Sequence, residues 1–237
     1  FTAFRIGYNQ VAVNFPPLTA KYLYEYFTKH IPMGENITVY DSSSGWGGRI
    51  LGAMSVDPHT HPLHYVGNDP NTDNFIPSVN KTRYEVLADF FNEKCNRSNF
   101  ISRMQGVTCN TYEIFQTGSE IIHELPEFQK YEGKFDLVFT SPPYFNRESY
   151  SEDDTQSYKK FQNYASWRDG FLRPTLETAY KYLKSDRWIL WNIADVLVGK
   201  EKGQPKYLPL EQDSIDILKG FGAEYRGKIN LCLASMP

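Results

Sequence analysis

Ser141-Pro142-Pro143-Tyr144 directly follows an apolar run, residues 134–140, that reads as a buried strand. Two consecutive prolines freeze the backbone and remove two N–H donors, which leaves carbonyls pointing outward without an internal partner. The Ser141 side chain and the Pro142 carbonyl then make a rigid acceptor pair that can hold an –NH2 group by both hydrogens. Such a grip steers the nitrogen lone pair toward an electrophile and draws off positive charge as the new bond forms. Tyr144 adds a face on which a planar base can stack. A base inside a duplex has to be flipped out to reach such an edge. Taken out of context, the same tetrapeptide is an ordinary rigid turn.

A second group of residues suits a nucleotide-like ligand. Asp41-Ser42-Ser43-Ser44-Gly45-Trp46-Gly47-Gly48 follows a short β-rich run, residues 36–40. Glycines there allow a tight turn and close approach of the backbone, and a helix starting near Gly48 offers unpaired N–H groups. Asp69 ends another such run, residues 63–67, and stands where a carboxylate accepts hydrogen bonds from ribose hydroxyls. Ser119 lies just past a third run, residues 112–115, as a candidate wall for an adenine ring. Gly45-x-Gly47 followed by Gly52 also fits a loose dinucleotide fingerprint. A dehydrogenase is therefore an alternative, although a Pro-Pro-Tyr turn has no role in hydride transfer.

The elements that must position these residues alternate between strand and helix patterns, which predicts an α/β fold with one doubly wound, mostly parallel sheet. The five strands fall at 36–40, 63–67, 112–115, 134–140 and 187–193, with helices over 18–27, 48 onward, 82–92, 167–183 and 213–219. A last strand over 225–233 is expected to run in reverse and close the sheet. Residues 145–166 and 199–209 read as polar loops, the first of them long enough for a lid or binding loop. A single domain over 1–237 accounts for the pattern.

Composition narrows the classes. The chain has 237 residues, 41% hydrophobic and 22% charged, as a globular protein does. Its 17 Tyr and 16 Phe exceed what one core needs, so some rings are expected in clefts. A net charge of −3 gives no global basic field, and a nucleic-acid partner would need a locally basic cleft. Cys95, Cys109 and Cys232 form no CxxC pair and read as reduced thiols of a cytoplasmic protein. No apolar run approaches bilayer length, so no membrane partner is expected. His59-Thr-His61-Pro-Leu-His64 invites a metal, but prolines interrupt it and no Cys or acid sits at ligand spacing, so none is expected.

At these motifs the chain resembles the amino-methyltransferases that modify adenine N6 or cytosine N4 in DNA, over nearly its whole length. Ser141-Pro142-Pro143-Tyr144 matches the family's [D/N/S]-P-P-[Y/F] tetrapeptide in full. The cofactor turn, typically D-P-F-x-G-x-G, matches at Asp41, Gly45 and Gly47 and departs at Ser42 and Ser43. The resemblance implies a Rossmann-like methyltransferase fold, S-adenosylmethionine as cofactor, and DNA rather than RNA as partner. It implies catalytic roles for Ser141, Pro142, Pro143 and Tyr144, and cofactor contacts from Phe15, Asp41, Ser43, Gly45, Gly47, Asp69 and Ser119. Motif order is that of adenine methylases, whereas the Ser of the tetrapeptide is that of cytosine-N4 members. The acceptor side chain touches the substrate directly, which weighs toward cytosine N4.

Sequence-specific members usually carry a sizeable recognition region, and none is visible here. Arg147, Lys159 and Lys160 in the first polar loop are the expected phosphate contacts, although Glu152, Asp153 and Asp154 oppose a simple phosphate cradle. Methylation of an RNA base or of a protein glutamine is the runner-up, with Ser141 against glutamine. A non-catalytic nucleic-acid-binding subunit is the alternative from a different class, motivated by Ser42 and Ser43.

Overall fold

The computed structural model describes residues 14–98, 109–145, 154–201 and 204–231. Five strands, β1 (Ile37–Asp41), β2 (Leu63–Asn68), β3 (Thr111–Phe115), β4 (Phe135–Thr140) and β5 (Leu183–Trp191), form one sheet in the order β3-β2-β1-β4-β5. Every pairing in it is parallel. Strand order reverses between β1 and β4, which opens a crevice at their carboxyl ends. The fold is Rossmann-like, as expected.

Alternation along each strand sends neighbouring side chains to opposite faces, so each face needs its own cover. Val39, Leu137 and Phe139 face a core built with α1 (Pro17–Thr28), α2 (Gly48–Met54) and α3 (Arg83–Ser98). Tyr40, Phe135 and Val138 face the other way, against Phe128 and against Ala179 and Tyr182 of α4 (Arg173–Tyr182). All six residues of β4 are buried, which is why its sequence is an apolar run rather than an alternation. A third cluster joins Phe145, Trp167 and Leu176 to Leu210 and Ile217 of α5 (Leu210–Phe221) beyond the crevice.

Three sequence expectations need correction. The helix over 167–183 is instead a short helix, Tyr164–Trp167, a π-turn at Arg168–Leu172, and then α4. Pro174 thereby falls in the first turn of α4, where its missing N–H costs nothing. Residues 199–209 are not loop: β6 (Val196–Glu201) and β7 (Gln204–Leu208) pair as an antiparallel hairpin. Residues 225–231 carry no strand, and the rest of the expected reversed strand lies outside the described residues. Tyr225 and Ile229 there face solvent, so the burial that would hold a strand against the sheet is missing.

The crevice is tied together by one buried ion pair. The Asp41 carboxylate, fully buried at the end of β1, accepts from Arg49 Nε at 2.8 Å, Tyr65 Oη at 2.7 Å and Thr140 Oγ1 at 2.8 Å. It thereby joins β1, α2, β2 and β4. Removing one member of such a pair leaves an uncompensated charge in the interior. Arg49→Met is expected to lower unfolding stability by about 3–5 kcal/mol in urea titrations, whereas Asp41→Asn/Arg49→Met, which strands no charge, is expected to lose clearly less.

Candidate functional site

A cavity of about 600 Å³ opens at the carboxyl ends of the strands. It is lined by Ser43 and Gly45 after β1, Asp69 after β2, Ser119 after β3, and Ser141 and Pro143 after β4. The glycine turn, the acid and the proline-locked edge therefore face one space, and Thr140, directly before that edge, bonds Asp41, directly before the turn.

The glycine turn is shaped from below. Gly47 adopts φ +87°, and a Cβ there would stand 2.8 Å from Leu87, so α3 can pack against the turn only because this residue has no side chain. The Arg49 guanidinium donates to the Ser43 carbonyl as well as to Asp41 and clamps the turn over the ion pair. Asp41 and Gly47 are buried beneath the cavity and do not line it. Phe15 is likewise a core residue: its ring meets Phe139 edge-on at 5.2 Å, and it shares a core cluster with Ile50. Asn14 beside it accepts from Gly48 N at 2.9 Å. Asp41, Phe15 and Asn14 act on the turn from behind.

Asp69 is the group best poised for a ligand. It accepts from Asn71 N at 2.9 Å, from Asn74 Nδ2 at 3.4 Å and from the Gly45 backbone, and lies 2.9 Å from Tyr84 Oη, whose single proton also faces the Gly45 carbonyl at 2.7 Å. One hydroxyl cannot serve both acceptors fully, which leaves the carboxylate able to take further donors. Burial raises its pKa to about 6, against the lowering effect of these hydrogen bonds. Ser119 lines the cavity, but its hydroxyl is engaged with Thr175 Oγ1 at 2.9 Å. The wall that holds it is anchored by Asn68, whose Nδ2 donates to Thr117 O at 3.0 Å.

The proline-locked edge is braced by a residue that no sequence motif singled out. Asn192, directly after β5, donates from its backbone to Thr140 O at 3.0 Å and from its side chain to Ser141 Oγ at 3.0 Å, and its carbonyl accepts from Tyr144 Oη at 3.2 Å. Its position at the end of a predicted strand was the available signal, but strand order decides that β5 lies beside β4. Pro142 is buried and Tyr144 half-buried, packed against the third cluster, and neither lines the cavity.

Residues 155–158 form one wall of the cavity. Thr155 Oγ1 donates to Pro70 O at 3.3 Å, and Lys160 pairs with the buried Glu120 at 2.8 Å, tying this segment to the loops after β2 and β3. Lys159 lies 3.9 Å from Asp154. Both lysines expected at phosphates thus have carboxylates beside them, and Arg147 lies outside the described residues. Of the histidine run, His64 bonds Thr111 Oγ1 and Tyr131 Oη, each at 2.8 Å, and burial lowers its pKa. Among the described residues no group of three His, Cys, Asp or Glu could hold a metal ion, and no helix is long and apolar enough to cross a membrane.

Residues 135–230 match N6_N4_Mtase, a DNA methylase family. The matched segment begins with β4 and carries the tetrapeptide, Asn192 and α4, so the N4/N6 amino-methyltransferase resemblance is supported over residues 135–230. Among curated proteins none matches the chain. One solved structure, that of the CurJ carbon methyltransferase, aligns with 86% of this chain at 12% identity and a TM-score of 0.39. This chain spans 38% of that chain's length, a likeness too distant to bear on function.

Two outcomes follow from the geometry. Ribose hydroxyls need Asp69 ionised, so affinity for an adenosine-type ligand such as S-adenosylmethionine is expected to hold above pH 6 and to weaken below it. The loss should reach roughly tenfold at pH 5 by calorimetry, since one unit below a pKa about a tenth of the group is ionised, and Asp69→Asn should abolish the pH dependence. Asn192→Ala removes the side-chain amide that holds Ser141 while its backbone carbonyl still holds Tyr144, and is expected to lower kcat on the order of tenfold while leaving ligand affinity unchanged.

Proposed function

We propose that this chain is an S-adenosylmethionine-dependent methyltransferase, folded as a single domain, that modifies an exocyclic amino group of a base in DNA, cytosine N4 rather than adenine N6. The observation that carries the reading is the shared cavity, with Ser141 and Pro143 on one side and Ser43, Gly45 and Asp69 on the other. The DNA methylase family match over residues 135–230 supports it.

The residues present fit this cofactor. A carboxylate with a pKa of about 6 on the cavity lining suits ribose hydroxyls, a glycine turn allows close backbone approach, and the Ser119 wall suits an adenine ring. When bound, S-adenosylmethionine supplies an electrophilic methyl carbon on a sulfonium.

The chain's own part is to hold the amino group. Ser141 Oγ, on the cavity lining, receives the Asn192 amide and keeps a lone pair for one amino hydrogen, and we assign the other to the carbonyl of Pro142, which stands between the lining residues Ser141 and Pro143. Both acceptors sit on backbone that prolines and the Asn192 braces keep from moving, so orientation is set before the ligand arrives. As positive charge develops on the nitrogen, the same oxygens stabilise it, and the departing proton goes to water. Tyr144, fixed through its hydroxyl and packed against the third cluster, steadies the edge from behind the cavity lining.

Methyl transfer from tritiated S-adenosylmethionine to assorted DNA and RNA, followed by mass analysis of the nucleosides, tests the reading. The expected product is N4-methylcytosine in DNA. Label on adenine would correct the base, label only on RNA or protein would correct the substrate, and a chain that binds no cofactor would overturn the proposal. Asp69→Ala is expected to weaken cofactor binding, and Tyr144→Ala to reduce turnover with cofactor affinity kept.

A further inference from the structure

We propose that Arg83 and Trp46 form a nucleic-acid contact on the rim of the cavity, Arg83 pairing with a backbone phosphate and Trp46 stacking on a base beside the target. The inference rests on the nucleic-acid reading above.

Arg83, the first residue of α3, is exposed and lines the cavity, and it is the only lysine or arginine among the described residues that does so. No ion pair or hydrogen bond to its side chain occurs among the described residues, in contrast to Lys159 and Lys160 with their carboxylates. A guanidinium held without an acid is the group that gains most from meeting a phosphate. Its backbone is well placed for this: the next residue, Tyr84, is buried and bonds the Gly45 carbonyl at 2.7 Å, which fixes the start of α3 against the glycine turn.

Trp46 stands on the same turn between Gly45 and Gly47, both in the left-handed region. That backbone turns the indole outward: the side chain is 50% exposed on the cavity lining, and Phe75 joins it at 36%. Burial would favour large rings inside, so two exposed aromatics beside an unpaired cation describe a surface suited to stacked bases and a charged backbone. A base extruded toward Ser141 brings its flanking phosphates and neighbours to this rim, which is where an acidic protein would need its local positive charge.

The test uses the whole chain with a DNA oligonucleotide, its binding measured at several salt concentrations, and with S-adenosylmethionine calorimetry as a second readout. Arg83→Gln is expected to reduce the slope of log affinity against log salt by about one, and Trp46→Ala to weaken DNA binding about tenfold with little change in that slope. Cofactor affinity should stay within twofold in Arg83→Gln and fall less than DNA affinity in Trp46→Ala, because Trp46 stands on the cofactor turn. Lys134→Gln, an exposed lysine just before β4 at the opposite end of the sheet, controls for net charge and should leave the slope unchanged. An unchanged slope in Arg83→Gln, or a loss confined to cofactor affinity, overturns the inference while the methyltransferase reading stands. A wild-type chain that binds S-adenosylmethionine but no nucleic acid overturns both the substrate reading and this one.

Discussion

The structure depends on the buried contact between Asp41 and Arg49. Two charges removed from water are costly, and their attraction compensates only when geometry is good and the remaining lone pairs are served. Here they are served: Tyr65 and Thr140 both donate to the same carboxylate, and Arg49 also donates to the Ser43 carbonyl. Burial alone would drive the guanidinium toward its neutral form, but the neighbouring carboxylate outweighs that and raises its pKa. The result is a node of charge beneath the cavity floor that fixes where β1, β2, β4 and α2 meet.

From that node the two halves of the site take their places. Above β1 the turn is clamped through Ser43, and beside β4 the chain leaves Thr140 directly into the proline edge. The rigidity of that edge has two sources with different origins. The prolines restrict the backbone by covalent geometry, whereas Asn192 restricts the side chains of Ser141 and Tyr144 by hydrogen bonds from the adjacent strand. The proposed amino-group chemistry would gain from both, because a group that must be aligned before it reacts loses rate for every degree of freedom left open.

Charge in the cavity is arranged against its apparent purpose. Asp69, Asp73 and Glu120 line it, and Lys160 is drawn to Glu120 rather than left for a ligand. The pairing joins residues 155–160 to the loop after β3, so the lysine contributes to the shape of the wall.

How much was legible in the residues varies with the kind of interaction. The strands, the glycine turn, Asp69 and the proline edge were readable because each rests on local chemistry: apolar runs, backbone freedom, missing N–H groups. The hairpin at Val196–Glu201 was missed because polar residues on an exposed pair look like loop, and the broken helix before α4 because local periodicity does not show a π-turn. Phe15 and Asp41 suited ligand contacts by sequence position, yet the fold packs both below the cavity. Which residues meet across the sheet was decided only by tertiary structure. Asn192 reaches Ser141, and Lys160 reaches Glu120, because strand order places distant segments side by side, and no spacing along the chain encodes that neighbourhood.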